Sequence, residues 1–316
     1  MWILWTVLSL IAFIAVVILA TAYICFRLTF YAKRGNEKDA EEDPVPEGEI
    51  YEAFREQILC WIKETRALPR KSVEIRSYDG LRLTGFYYEY EKGAPIEILF
   101  HGYRGSAERD LSGGVTRCFS LGRSALIVDQ RAAGGSEGNV ISFGINESRD
   151  CVEWVKFVVN NIDKDAKIII TGISMGAATV LMAATYPLPA NVVGVLADCG
   201  YTSAKDIIKK VLCDMKLSPD FFYPFVKLGA RIFGGFDLDK YSPIESMKKC
   251  QLPVIFFHGD TDDFVPHYMS VENFEACTSQ LKRMVTIEGA GHGLAFPINQ
   301  EKYLFEAGDF FKDILK

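Results

Sequence analysis

The stretch TGISMGAAT, residues 171–179, puts Ser174 between Gly172 and Gly176, with small residues behind it. It follows the apolar run KIIIT (167–171) and opens a segment rich in Ala and Met. That context predicts a strand, a sharp turn and a helix, with the serine hydroxyl presented at the strand end. In such a turn the residues two before and two after the serine nearly touch, so glycine suits both places. Ala177 and Ala178 then let the helix sit close to the sheet. The bland alternative is a serine that merely caps a helix N-terminus. Gly-x-Ser-x-Gly is too short to decide between them, so the rest of the chain must.

Working outward, short apolar runs alternate with helical stretches from Ile96 onward. The runs are IEILF (96–100), SALIVD (124–129), KIIIT, VVGVLAD (192–198), LPVIFF (252–257) and MVTIE (284–288). Helices are expected near 106–121, 147–160, 174–185, 267–280 and 299–315. Continuous apolar strands alternating with helices predict an α/β fold, a mostly parallel sheet covered on both faces. Ligands bind at the C-terminal strand ends of such sheets. Ahead of this region, KSVEIRSYDGLRLTGFYYEY (71–90) alternates about Asp79-Gly80 and predicts a hairpin. Ile50, Phe54, Ile58, Trp61 and Ile62 fall at helical spacing and predict a helix packed on the domain. Residues 203–250 are too long for a simple crossover. They predict a helical insert, aromatic-rich at 221–233, that caps a pocket.

A serine hydroxyl needs a base. Of the four histidines, His292 lies in GAGHGLAF (289–296), just after the last apolar strand, where flanking glycines allow a loop back over the strand ends. His101, His258 and His267 read as structural or loop residues. The base needs an acid to orient its ring. HGDTDDFVP (258–266) follows the strand LPVIFF and offers Asp260, Asp262 and Asp263. A calcium loop starting at Asp260 would need Gly and Glu where Val265 and Val271 stand, so calcium is rejected. An oxyanion also needs amide donors. One is the N–H of Met175, after the nucleophile; the other is that of Tyr103, in the loop ILFHGYRGS (98–106).

Over roughly residues 70–316 the chain resembles the α/β-hydrolase family, in particular small esterase-like members with a short helical cap and often an N-terminal anchor. The matching residues are His101-Gly102-Tyr103, DQRAAGGSEG (129–138), GISMG, HGDTDDFVP and GAGHG. The resemblance implies that the acid is Asp262 and that Ser174 forms a covalent acyl-enzyme. One departure is Ala133, where relatives often carry histidine; it bears on loop support, not on the triad. The expected function is a serine hydrolase cleaving a carboxylic ester or related acyl bond through Ser174, His292 and Asp262. The rivals are a peptidase of the prolyl-oligopeptidase type, a thioesterase or acyltransferase, and a membrane-tethered binding module without catalysis. No H-E-x-x-H, P-loop or dinucleotide fingerprint occurs, so no cofactor or metal is expected.

The chain has 316 residues, 49% hydrophobic and 24% charged, with a formal net charge of -6. That balance argues against a nucleic-acid partner, since no basic excess is available to displace phosphate counterions. Trp2 to Phe26 carries no charged residue over 25 positions, long enough to cross a bilayer. Trp2, Trp5, Tyr23 and Tyr31 lie near its ends, as interfacial aromatics do. A signal peptide cut near ATA (20–22) is the competing reading. The run is long for that and no Lys or Arg precedes it, so an anchor is expected. Arg27, Lys33 and Arg34 follow the run and place the catalytic domain on the cytoplasmic face. The expected organisation is an anchor at 1–32, a polar acidic linker at 33–49 and the hydrolase domain at 50–316. A small-molecule or lipid acyl substrate suits this layout. Eight cysteines, none in C-x-x-C, read as free buried thiols.

Overall fold

The computed structural model describes residues 1–33, 45 and 48–316. Most of the linker expected at 33–49, with Arg34, lies outside the described residues. The strands are β1 (Lys71–Arg76), β2 (Arg82–Tyr88), β3 (Ile96–Phe100), β4 (Ser124–Val128), β5 (Ile168–Ile173), β6 (Val192–Asp198), β7 (Val254–Gly259) and β8 (Lys282–Ile287). They form one sheet in the order β1-β2-β4-β3-β5-β6-β7-β8. The expected hairpin joins β1 and β2 antiparallel, and β2 pairs antiparallel with β4. The remaining strands are parallel. β3 and β4 are buried at every position, which is why their sequences are apolar except at Glu97 and Ser124.

The helices are α1 (Trp2–Thr29), α2 (Glu49–Glu52), α3 (Arg55–Ala67), α4 (Ala107–Ser120), α5 (Glu147–Phe157), α6 (Met175–Ala183), α7 (Ala204–Asp214), α8 (Pro219–Gly229), α9 (Pro243–Met247), α10 (Tyr268–Ala276), α11 (Ala295–Ile298) and α12 (Gln300–Phe311). One core joins Trp154 of α5 and Val180 and Leu181 of α6 to Ile98 and Ile170 of the sheet. The other joins Trp61 of α3 and Tyr303 and Phe311 of α12 to Ile169, Leu196 and Phe257. Side chains alternate across each strand, so neighbouring sheet residues feed opposite cores. Two helices end sooner than the periodicity suggests, whereas α5 is continued by a π-helical turn, Val158–Ile162. α10 stops at Ala276 and α12 at Phe311, because apolar spacing carries no stop signal.

α1 is 28 residues long, roughly 42 Å at 1.5 Å per residue, and apolar enough to cross a membrane. Its first five turns are exposed. Near its C-terminal end, Ala22 and Phe26 are buried, as is Phe30 just beyond it. Phe26 and Phe30 share a core with Tyr223 and Val226 of α8. The crossing is close: a Cβ on Gly229 would sit 2.4 Å from the Ala22 carbonyl oxygen. The end of the apolar segment is therefore packed into the domain that follows it. The insert at 203–250 is helical as expected (α7, α8 and α9), and α8 lies against α1.

Candidate active site

Ser174 follows β5 and precedes α6 with φ 56° and ψ -116°, a strained conformation for a residue with a side chain. The turn closes only with glycine on both sides. A Cβ on Gly172 would lie 2.1 Å from the Gly176 carbonyl carbon, and one on Gly176 would lie 2.0 Å from the Phe100 oxygen. The Ser174 amide donates to the Asp198 carbonyl at the end of β6, at 2.8 Å. The hydroxyl is thus held above the C-terminal ends of the parallel strands, and it does not cap α6.

His292 reaches it from the loop after β8. Its Nε2 lies 2.9 Å from Ser174 Oγ, and its Nδ1 lies 2.7 Å from Asp262 Oδ2. With Nδ1–H donating to the carboxylate, Nε2 is left to accept from the serine. Of the three aspartates after β7, the structure brings Asp262 to the histidine. Asp260 instead accepts from the Gly289 amide at 2.7 Å, and Asp263 is exposed. Asp262 Oδ1 accepts from the Phe264 and Val265 amides at 3.0 and 2.8 Å. Burial alone would push this carboxyl up, but the hydrogen bonds from His258 and His292 outweigh it and hold the carboxyl below its ordinary range.

His258 is more than the bland residue its sequence position suggests. It is fully buried, and its Nε2–H points at both Asp262 Oδ2 (3.1 Å) and the Val265 carbonyl (2.8 Å). The signal was present in the sequence: it stands four residues before Asp262, near the end of the strand that leads into that loop. His101 is buried and structural. Its Nε2 accepts from the Gln130 amide at 3.0 Å. His267 contacts Thr286 Oγ1 at 2.9 Å, away from the serine.

The loop after β3 lies over Ser174. A Cβ on Gly102 would be 3.6 Å from Ser174 Cβ. Asp110 of α4 holds this loop by accepting from the Gly102 amide at 3.2 Å. Among the described residues, neither the Tyr103 nor the Met175 amide is paired with a protein acceptor. Support for the neighbouring 129–138 loop does not depend on position 133. Asp129 accepts from the Ala107 and Gly135 amides at 2.8 and 3.1 Å, and Arg131 pairs with Asp150 and Asp79.

Ser174 and His292 open into a cavity of about 750 Å³. Its apolar walls come from Ile50, Ile58, Trp61, Leu111 and Phe296. Gly113 and Gly114 of α4 let Trp61 and Leu99 approach that helix. No residue of the 203–250 insert lines the cavity among the described residues. The wall is instead the N-terminal pair α2 and α3, and the expectation of a cap over the pocket is corrected accordingly. Tyr223 and Val226 of the insert instead share a core with Phe26 and Phe30 at the end of the apolar helix. Tyr51 of α2 donates to the His292 carbonyl at 3.1 Å, tying this wall to the His292 loop. Cys199, Asp262 and His292 also place a ligand atom each within 4.8 Å of one another. Burial pushes the Cys199 thiol well above its ordinary value.

Sheet order, the single antiparallel turn into it and the strand–Ser174–helix turn are those of the α/β-hydrolase fold. The chain is an α/β-hydrolase by fold. No protein-family model matches it. It is 22% identical over 308 residues to the uncharacterized protein YqkD of Bacillus subtilis, covering 95% of this chain and 97% of that one. Among solved structures it is similar to the Pyrococcus furiosus esterase Pf2001, with a TM-score of 0.67 and 22% identity over 80% of this chain and 94% of that one. It is also similar to the α/β hydrolase GrgF from Penicillium, with a TM-score of 0.62 and 18% identity over 78% and 99%.

Proposed function

We propose that the chain is a membrane-anchored serine hydrolase that cleaves a carboxylic ester or a related acyl bond. One observation carries the reading: Ser174 Oγ, His292 and Asp262 form a continuous hydrogen-bonded series at 2.9 and 2.7 Å. In the first half-reaction His292 Nε2 takes the hydroxyl proton as Ser174 Oγ attacks the acyl carbon. Asp262 stays ionised and stabilises the imidazolium. The Tyr103 and Met175 amides receive the negative oxygen, each contributing roughly 3–4 kcal/mol in the transition state. Collapse expels the leaving alcohol, which takes the proton from His292. Water then attacks the acyl-enzyme with His292 again as base. The apolar walls of the cavity suit an acyl chain, and α1 supplies the membrane attachment. Lys33 and Arg27 on the domain side of the helix favour a cytoplasmic face for the catalytic domain.

A fluorophosphonate probe, which reacts only with an activated serine, tests this directly. Labelling of the wild type that disappears in Ser174→Ala is the expected result. Absence of labelling in a folded wild type would remove the reading in favour of a binding module. A panel of p-nitrophenyl acyl esters, acyl thioesters and aminoacyl anilides then ranks the leaving groups, with esters expected to turn over fastest.

A further inference from the structure

The loop that carries the Tyr103 amide is fastened to the end of the apolar helix. Tyr103 Oη donates to the Thr29 carbonyl at 2.8 Å, and Arg104 Nη2 donates to the Leu28 carbonyl at 2.9 Å. These belong to the last carbonyls of α1, which have no partner within the helix. A guanidinium there also complements the negative end of the helix dipole. The rings continue the contact. Phe143 lies 5.2 Å from the Tyr103 ring and 5.7 Å from that of Phe30, edge-on to the latter. The chain leaving the helix is stitched into the domain as well. The Ile141 amide donates to the Phe30 carbonyl at 2.8 Å, and the Ala32 amide donates to the Asn139 carbonyl at 3.0 Å. Arg104 itself sits at φ 54°, where a side chain is strained, and its bonds to the helix end hold it there.

We propose that the C-terminal turn of α1 is a positioning element of the acyl-transfer site: it holds the Tyr103 amide through the Tyr103 hydroxyl and Arg104, so the seating of the helix in a lipid bilayer sets the oxyanion geometry. This rests on the serine-hydrolase reading and on the Tyr103 amide as an oxyanion donor. Hydrogen bonds weaken steeply with angle and distance, so a small displacement of that amide matters in the transition state and much less in the ground state. On its other side the loop is tied down by Asp110. On the helix side the lever is long, since the exposed apolar turns extend away from the domain and end at Met1. A helix answers a bilayer thinner than its apolar length by tilting, and a thicker one by drawing the bilayer in around it. That tilt acts at the Ala22–Gly229 crossing and is passed to Leu28 and Thr29.

The test uses the full chain in phosphatidylcholine vesicles of short, intermediate and long acyl chains. It measures the rate of Ser174 phosphonylation by a fluorophosphonate, with kcat and KM for a p-nitrophenyl ester. The wild-type rate is expected to vary severalfold with bilayer thickness. Tyr103→Phe keeps the ring and the amide and loses only the bond to Thr29. It is expected to lower kcat about tenfold with KM nearly unchanged, less than the ~10²–10³ that follows outright loss of a donor. It is also expected to flatten the dependence on thickness. Arg104→Met is the second variant, expected to act in the same direction, and it serves if the first does not fold. A wild-type rate indifferent to thickness, or variants with wild-type kcat and wild-type thickness dependence, would overturn the proposal and leave the hydrolase reading standing. A folded wild type that never labels would remove that reading and this proposal with it.

Discussion

His258 and His292 donate to the same oxygen of Asp262, at 3.1 and 2.7 Å. The acid therefore has a second histidine behind it, which helps keep the carboxyl ionised although it is buried. His258→Phe should remove that donor with little change in volume. Without it the Asp262 carboxylate is left with fewer donors and should hold the His292 imidazolium more tightly, so the acid limb of the pH–rate profile should move to higher pH. The loss of one buried hydrogen bond corresponds to about 1–1.5 kcal/mol, or on the order of tenfold in kcat. KM should change little. An acid limb that stays in place would show that His258 only packs.

The glycines of the elbow make a sharper prediction. At Gly172 an added Cβ meets backbone at 2.1 Å, and no rotamer change can relieve that. Gly172→Ala should cost about 3 kcal/mol or more and abolish fluorophosphonate labelling. Gly235, at φ 73° with open space around it, is the control. Gly235→Ala should cost only the ~1–2 kcal/mol of a left-handed residue and leave labelling intact. Urea midpoints compare the two; equal losses would mean that crowding at the elbow is relieved by backbone movement.

The sequence made Ser174, His292 and the 258–266 loop legible because each follows a strand whose apolar run is easy to see. Parallel strands deliver their C-terminal ends to one edge, so local signals were enough to bring three distant residues together. Other features depend on packing between segments far apart in sequence. The spacing of Ile58, Trp61 and Ile62 showed a helix with an apolar face, but not that this face lines the cavity. The aromatic run 221–233 looked like a pocket cover, and it packs on α1 instead. Glu97 sits within IEILF, a run that reads as wholly apolar, and only the fold shows what it faces.

Glu97 is fully buried in β3 between Arg117 and Arg123, which bind its two oxygens. Burial would push its carboxyl up, but the two guanidinium groups outweigh this and hold it at about 2. Its contribution to stability is therefore present above the unfolded value and lost as pH falls through about 2. Glu97→Gln should leave two buried cations without their counter-charge and cost about 3–5 kcal/mol. Thermal or urea unfolding of the variant checks this. A loss below about 1 kcal/mol would mean that water or another acid neutralises the arginines.

Asp198 titrates the other way. Burial pushes its carboxyl up to about 6, partly opposed by the Tyr303 hydroxyl, which donates to it at 2.9 Å. The folded chain thus holds this proton more tightly than the unfolded one, where aspartate titrates near ~3.9. The resulting stability is complete below the unfolded value and is lost as pH rises through about 6. Asp198→Asn keeps an acceptor for Tyr303 and cannot ionise. Relative to wild type it should gain stability as pH rises from ~4 to ~7, a window that brackets the unfolded and folded values. A stability difference that stays constant across that window would mean Asp198 is ionised throughout.

The last prediction concerns the join between the apolar helix and the domain. Gly229 permits α8 to cross α1 at contact distance, with Phe26 Cβ only 3.0 Å from where its own Cβ would lie. The buried rings of Phe26 and Phe30 depend on that approach. Gly229→Val must push the helices apart by the width of a side chain. It should cost about 1–3 kcal/mol as overpacking and expose the last turns of α1. The sheet core lies elsewhere and should be unaffected. Limited proteolysis near residues 30–33 reads the difference. Cleavage there should rise in the variant while the domain from β1 to α12 stays resistant. Unchanged cleavage would show that the stitching at Phe30 and Ala32 alone holds the helix end.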